Sequence, residues 1–231
     1  MVRLLLFLFL SACFSLSSQE LPEQYFSKVI SKNIRTYNKE VKSAYRAKDF
    51  DRAEFLFDSL VKHTINGSYF DDFTVKKLNG RDVAFRKFEK PIFLMTYASW
   101  CTPGSGEIPA LNEIAKLYKD EIDFVVLFWD KRSAVRKVAK EYEKNINVLY
   151  VDELDNKNCR IIRTLKHSLG FPTSFFLDKD KKIVDVRRGV LHPYNETYSI
   201  SFSLNYESFR NGIALLVNLE SPKNPLVDIK K

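Results

Sequence analysis

A single cysteine, Cys101, occupies a position where a thiol can act as a nucleophile. It lies in the segment ASWCTPGSGEIP, residues 98–109, directly after the apolar run at residues 92–97 and before a helical pattern. A cysteine at the start of a helix faces the positive end of the helix dipole, and free backbone N–H groups there stabilise a thiolate. The pattern therefore predicts a nucleophilic Cys101 with a lowered pKa. Pro103 suits the first helical turn, where a missing N–H costs nothing.

Gly104 stands three residues after Cys101, where a second thiol would complete a Cys-x-x-Cys pair. The second thiol of such a pair attacks the mixed disulfide and releases the substrate, and glycine has no group for that step. Cys159 is the possible resolving thiol elsewhere in the chain. Helical geometry places it on the order of 14 Å from the loop at residues 170–173, whereas a disulfide needs Cα atoms within about 7 Å. A Cys101–Cys159 disulfide would need local unfolding, and the alternative is a small, partly buried apolar residue.

Strand and helix patterns alternate around the cysteine segment. Asn-Gly at residues 79–80, between two β-rich runs, predicts a hairpin. The runs at residues 92–97 and 124–129 are apolar throughout, which favours central strands covered by helices on both faces. A second hairpin over residues 174–186 and a helix over residues 206–219 follow. This order predicts an α/β fold, a three-layer α/β/α sandwich with a mixed sheet.

A helical hairpin is predicted before the α/β domain, over residues 20–67. Apolar residues recur at steps of three and four from Phe26 to Tyr45, and Asp49 or Asp51 can cap a second helix. We expect the hairpin to pack through its Phe26–Tyr45 face onto the domain formed by residues 69–220. Residues 221–231 form a C-terminal tail in this interpretation.

The N-terminus has the features of a secretory signal peptide over residues 1–18. Arg3 precedes an apolar stretch at residues 4–10, and small serines end the segment. A second interpretation is a lipoprotein signal, because LSAC at residues 10–13 resembles the bacterial lipobox, in which Cys13 is acylated. Both interpretations predict export to the periplasm or cell envelope. Membrane attachment is expected only through a lipid on Cys13.

The cysteine segment resembles that of the exported TlpA/ResA-like thiol-disulfide oxidoreductases, the redoxin branch of the thioredoxin superfamily, which typically read W-C-x-P-C-x-x-E-x-P. The matching positions are Trp100, Cys101, Pro103, Glu107 and Pro109, and Gly104 departs from the pattern. Residues 170–173, Gly-Phe-Pro-Thr, match the family's cis-proline loop. The resemblance covers about residues 70–219. It implies a thioredoxin-like fold, a cis bond before Pro172 and no cofactor.

The resemblance also implies roles for individual residues. Cys101 would be the catalytic nucleophile, and Glu107 would raise thiol pKa values or relay a proton, although a surface helix carboxylate is the alternative. The cis-proline loop would offer the backbone of Phe171 to an extended peptide, with Trp100 shielding one side of the sulfur. The implied substrate-binding residues are Trp100, Pro103, Gly104, Phe171, Pro172 and Thr173. The buried carboxylate of thioredoxin itself, six residues before the cysteine, is replaced by Met95.

Three functions are compatible with these residues. The first is thiol-disulfide exchange through Cys101 alone, with an external thiol or partner resolving the adduct. The second is a redox-inactive thioredoxin-fold module that binds proteins or peptides. The third is a one-cysteine peroxidase, which Ala98 disfavours because such enzymes need Thr or Ser there.

Composition and charge argue against two classes of ligand, nucleic acids and metal ions. The net charge of +8 comes from 37 basic and 29 acidic residues without a long basic run, which argues against nucleic-acid binding. The three histidines are scattered without ligand spacing, so no metal site is expected. We expect a monomer that acts on protein or peptide thiols and disulfides.

Overall fold

The computed structural model describes residues 24–152, 154, 164–166, 168–189 and 196–217. The signal segment with Cys13, the possible resolving thiol Cys159 and the C-terminal tail lie outside the described residues. What the sequence predicts for them stays a prediction.

A seven-stranded mixed sheet forms the centre of the protein. Its strands are β1 (Thr74–Lys77), β2 (Asp82–Ala84), β3 (Ile92–Tyr97), β4 (Asp123–Phe128), β5 (Ile146–Tyr150), β6 (Thr173–Leu177) and β7 (Ile183–Arg188). Their order across the sheet is β2-β1-β5-β4-β3-β6-β7. The central strands β3, β4 and β5 are parallel, and the strands on both sides pair antiparallel. The predicted mixed sheet is confirmed.

Helices cover both faces of the sheet. The helices described in full are α1 (Phe26–Arg46), α2 (Phe50–Leu60), α3 (Glu107–Leu117), α4 (Arg132–Val138) and α5 (Tyr198–Val217). A π-helical turn at Val61–Ile65 extends α2, and 3-10 turns lie at Phe85–Lys87 and Ala139–Glu141. Asp49 caps α2 by accepting a hydrogen bond from the Arg52 N–H at 3.0 Å.

Side chains that alternate along the central strands divide the core into two apolar layers. In β3, Leu94 faces one layer and Phe93 and Met95 face the other. Helices α3, α4 and α5 cover the layer that contains Phe93, whereas α1 and α2 cover the layer that contains Leu94. This arrangement is the three-layer, thioredoxin-like α/β/α sandwich that the sequence predicts.

The N-terminal helical hairpin is an integral part of the core. Phe26 is fully buried, and its ring meets that of Phe175 in β6 edge to face at 5.4 Å. Ile30, Tyr37 and Val41 join the same apolar cluster. Tyr45 differs from the expectation because it is 46% exposed. The inward face of α1 continues to Ala44, which is 2% exposed, and Tyr45 lies outside it.

Helix α5 begins at Tyr198, eight residues before the start that the sequence predicts. Its first two turns bury Ser201 and Asn205. Buried polar residues interrupt the apolar periodicity on which the prediction depends. The missed turns matter because they pack against the loop that contains Cys101.

Candidate functional site

The loop between β3 and α3 contains Cys101, and its geometry differs from the prediction. Helix α3 begins at Glu107, six residues after Cys101. The expectation that Cys101 lies at a helix start, with Pro103 in the first helical turn, is therefore wrong. Glu107 is the first residue of α3. The backbone N–H of Cys101 donates to the Ala98 carbonyl at 2.9 Å, as in a tight turn.

Local sequence explains why the helix starts late. Pro103 disfavours helical backbone at the residue before it, and Gly104 and Gly106 follow within three residues. Gly106 packs against α5 so closely that an added Cβ would clash with the Phe202 backbone nitrogen. Its N–H donates to Ser201 Oγ at 3.0 Å. The end of the loop is thus anchored to α5, and the helix starts only beyond this contact.

The second loop of the site is the cis-proline loop, residues 170–173, which lies beside the cysteine loop. The peptide bond between Phe171 and Pro172 is cis. The Trp100 and Phe171 rings meet edge to face at 6.3 Å and so join the two loops. Trp100 is 73% exposed. Thr173 is buried, and its hydroxyl donates to the Gly170 carbonyl at 2.9 Å, which holds the turn closed.

Asp130 is a residue of the site that the sequence analysis missed. Its Oδ2 accepts a hydrogen bond from the Ser99 N–H at 2.6 Å. Because β3 and β4 are parallel and in register from Ile92↔Asp123 to Tyr97↔Phe128, the residues that follow both strands meet at one edge. An acidic residue two positions after the second buried strand was the available signal. Asp130 places a carboxylate near Cys101, although Met95 occupies thioredoxin's usual carboxylate position.

Glu107 is buried rather than a surface carboxylate, with 7% of its area exposed. It forms a side-chain hydrogen bond with Tyr97, the last residue of β3. Burial, the Glu107 charge and this hydrogen bond all raise the pKa of the Tyr97 phenol. The phenol therefore stays protonated and can donate to the Glu107 carboxylate.

Burial and nearby charges also raise the pKa of Cys101, contrary to the sequence prediction. The largest cause is burial, since its side chain packs against the apolar layer that contains Phe93. The carboxylates of Asp130 and Glu107 add to the shift, and the backbone contact with Ala98 opposes it. The helix start that would lower the pKa is six residues away. Cys101 is therefore held mainly as a neutral thiol at pH 7.

Replacing Asp130 with asparagine should increase the reactivity of Cys101. The change removes one nearby negative charge but keeps an oxygen that can accept from Ser99. Below the thiol pKa, we expect alkylation by iodoacetamide to become about threefold to tenfold faster, because the thiolate fraction rises. The two pH profiles should converge above the pKa.

The matched control for this prediction is Asp120→Asn, a charge change at an exposed position before β4. The alkylation pH profile of this control should equal that of the unchanged protein. An Asp130→Asn profile that does not move would show that the Asp130 charge has no influence on the thiol.

A groove of about 790 Å³ runs along the two loops and is the candidate active site, called the active-site groove here. Thr102, Pro103 and Gly104 line one side, and Phe171 and Pro172 line the other. Tyr45 of α1, Arg188 and Gly189 extend the groove beyond the loops. The structure thus brings Pro103, Gly104, Phe171, Pro172 and Glu107 to one groove, which Thr173 does not line. Cys101 lines a smaller cavity that shares Tyr97 and Pro103 with the groove.

A known protein family matches most of this fold. The family model for AhpC/TSA matches residues 67–186, more than half of the 231 residues. The chain belongs to the AhpC/TSA family. The match includes the cysteine loop and the cis-proline loop of this AhpC/TSA protein, and α1 and α2 lie before it.

Individual relatives confirm the resemblance to ResA-like thioredoxin-superfamily proteins. The thiol-disulfide oxidoreductase ResA of Bacillus thuringiensis subsp. konkukian is 31% identical over 121 residues, which are 51% of this chain and 66% of ResA. The thioredoxin-like protein YneN of Bacillus subtilis is 24% identical over 126 residues, 54% of this chain and 72% of YneN. About a third of that ResA lies outside the match.

One solved structure with a similar chain is the thioredoxin domain of a thiol-disulfide oxidoreductase from Bacteroides vulgatus. It is 20% identical, covers 62% of this chain and 96% of that one, and superposes with a TM-score of 0.48. Within the described residues of this AhpC/TSA protein, no helix has both the length and the apolar character needed to cross a membrane.

Proposed function

We propose that this protein is an exported thiol-disulfide exchange protein that uses Cys101 as its single nucleophile. The observation that carries the proposal is the junction of the cysteine loop with the cis-proline loop at the Trp100–Phe171 contact. No described residue forms a hydrogen bond with the backbone of Phe171. An extended peptide can therefore pair with Phe171 as an added strand, close to the sulfur.

In the proposed reaction, the Cys101 thiolate attacks one sulfur of a substrate disulfide. A mixed disulfide forms, and the other substrate sulfur leaves as a thiolate. An external thiol or partner then attacks the mixed disulfide and releases Cys101. Glu107 is proposed to accept or return the proton of Cys101, in line with its burial beside the thiol and with the Tyr97 hydrogen bond.

Two features of the site lengthen the life of the mixed disulfide. Gly104 offers no thiol to resolve it. A thiol with a raised pKa is also a slower leaving group, so the adduct on Cys101 breaks down slowly. The raised pKa also supports the second candidate, a redox-inactive module that holds a peptide in the active-site groove. Both candidates use the same surface and differ only in whether a covalent bond forms.

Intact mass separates the two candidates. The mature chain is incubated with glutathione disulfide and then measured without reduction, beside the Cys101→Ser and Cys159→Ser variants. Exchange through Cys101 predicts one glutathione adduct in the unchanged protein and in Cys159→Ser, and none on Cys101→Ser. No adduct on Cys101 at any pH up to about 9.5, above the ordinary thiol pKa, would favour the binding module.

The same experiment tests the role of Cys159. Alkylation of both thiols only after prior reduction would mean that Cys101 and Cys159 form a disulfide. That result would contradict the single-cysteine mechanism. The mass of the chain exported by a bacterial host would also show whether it begins near Gln19 or at an acylated Cys13.

A further inference from the structure

Arg188, at the end of β7, carries a charge that no described carboxylate neutralises. Its guanidinium donates a hydrogen bond to the Tyr37 hydroxyl and stacks over the Phe57 ring, with 4.2 Å from Cζ to the ring centroid. Its Nε is buried without a hydrogen-bond partner in the described part of the chain. The neighbouring Arg187, in contrast, pairs with Asp185 at 2.7 Å.

Backbone contacts fix Arg188 beside the cis-proline loop. It pairs with Thr173 across β6 and β7, and the next residue, Gly189, donates its N–H to the Pro172 carbonyl at 3.0 Å. An added Cβ on Gly189 would clash with the Pro172 ring, so the two strands approach closely here. The position of Arg188 relative to the site is therefore set by the sheet.

Arg188 also lies where two grooves meet. The active-site groove shares Tyr45, Arg188 and Gly189 with a hairpin groove of about 790 Å³ between the N-terminal hairpin and β7. Glu54 and Asp58 line the hairpin groove as well, but neither forms an ion pair with Arg188. A ligand that extends from the active-site groove toward the hairpin passes Arg188.

A partly buried arginine without an ion pair, such as Arg188, is suited to bind an anionic ligand. A partly buried cation without a counter-charge costs free energy, and the aromatic rings hold the guanidinium in place without neutralising it. The planar guanidinium matches the geometry of a carboxylate better than a lysine does. We propose that Arg188 is a specificity-determining residue that binds a carboxylate of the substrate held at Cys101. The inference rests on the proposed function and adds that the substrate is acidic near its reacting sulfur.

Binding to a Cys101→Ser protein tests the inference without any covalent step. One arm uses short peptides with a central serine in place of cysteine and one glutamate at successive distances from it, each compared with its glutamine counterpart. The other arm uses glutathione disulfide and its carboxyl ester. Calorimetry measures the affinities of two proteins, Cys101→Ser with Arg188 unchanged and Cys101→Ser with the added Arg188→Gln substitution. The control variant is Arg86→Gln, which also removes one positive charge. Arg86 is exposed and pairs with Asp72.

We expect the protein with Arg188 to prefer at least one glutamate peptide, or free glutathione disulfide, by about tenfold, which corresponds to about 1.4 kcal/mol. Arg188→Gln should abolish that preference, and Arg86→Gln should keep it. A preference in the peptide arm shows that the carboxylate belongs to an acidic peptide. A preference confined to glutathione disulfide shows that it belongs to a small thiol compound. Equal binding of all charged and neutral pairs by the protein with Arg188 overturns the inference, whether or not Arg188→Gln folds.

The inference and the proposed function fail in different ways. If Cys101 forms no adduct while the carboxylate preference still depends on Arg188, exchange is rejected and the carboxylate site stands. If Cys101 forms the adduct while no carboxylate preference exists, exchange stands and the role of Arg188 is rejected.

Discussion

Replacing Gly104 with cysteine is expected to convert the single-thiol site into a two-thiol site that releases its own adduct. The substitution is made in a Cys159→Ser background, so that position 104 supplies the only additional thiol. With 5,5′-dithiobis(2-nitrobenzoate), the Gly104 protein should keep one thionitrobenzoate on Cys101. In Gly104→Cys, the new thiol attacks that adduct, expels thionitrobenzoate and leaves a disulfide between Cys101 and position 104.

The size of the effect follows from effective concentration. A thiol three residues away acts at millimolar or higher effective concentration, so it should resolve the adduct about a hundredfold faster than an external thiol at about 10 μM. Intact mass gives the readout: loss of two hydrogens with no adduct for Gly104→Cys. The control Gly104→Ser adds a side chain without a thiol and should retain the adduct. A persistent adduct on Gly104→Cys would mean that this loop does not let position 104 reach Cys101.

Replacing Phe26 with alanine should destabilise the whole protein, including the site. Phe26 is fully buried between the hairpin and the sheet, and its N–H donates to the Tyr69 carbonyl at 2.8 Å. Removing a buried phenylalanine side chain costs about 3–5 kcal/mol of unfolding free energy, because apolar burial is lost and a cavity remains. We expect one cooperative urea transition at a much lower midpoint.

Phe55 provides the matched control, since it is a phenylalanine of the same hairpin that is 68% exposed. Phe55→Ala should change the unfolding free energy by no more than about 0.5 kcal/mol. Equal midpoints for the two variants would show that the hairpin does not stabilise the domain. Release of the hairpin as an unfolded fragment by limited proteolysis, with the rest intact, would lead to the same conclusion.

The Phe26 and Gly104 substitutions test different parts of the protein. The hairpin forms one wall of the groove through Tyr45 and orients Arg188 through Tyr37 and Phe57. A loss of hairpin packing should therefore also weaken any ligand preference that depends on Arg188. Gly104 lines the same groove, and its replacement by cysteine is expected to change the fate of the adduct on Cys101.

The sequence by itself determined the fold and predicted which two loops form the candidate site. Apolar runs such as residues 92–97 predict central strands because a strand buried on both faces has no polar side. The Trp100–Pro109 motif and the Gly-Phe-Pro-Thr segment predict which two loops meet, because both follow or precede central strands. The loss of the second thiol at Gly104 is visible in the sequence alone.

The tertiary structure alone decided the electrostatics of the thiol. Whether Cys101 gains a helix dipole depends on where α3 begins. Pro103 and Gly104 act locally on that start, and the packing of Gly106 against α5 adds a contact between residues far apart in sequence. Asp130 reaches the site only because β4 lies parallel to β3. The pairing of β6 with β7 sets the position of Arg188 beside the cis-proline loop, and Tyr37 and Phe57 of the hairpin contact its guanidinium. Local sequence patterns predict which helices and strands form. The pKa of a side chain depends on burial and on nearby charges, which long-range contacts bring together.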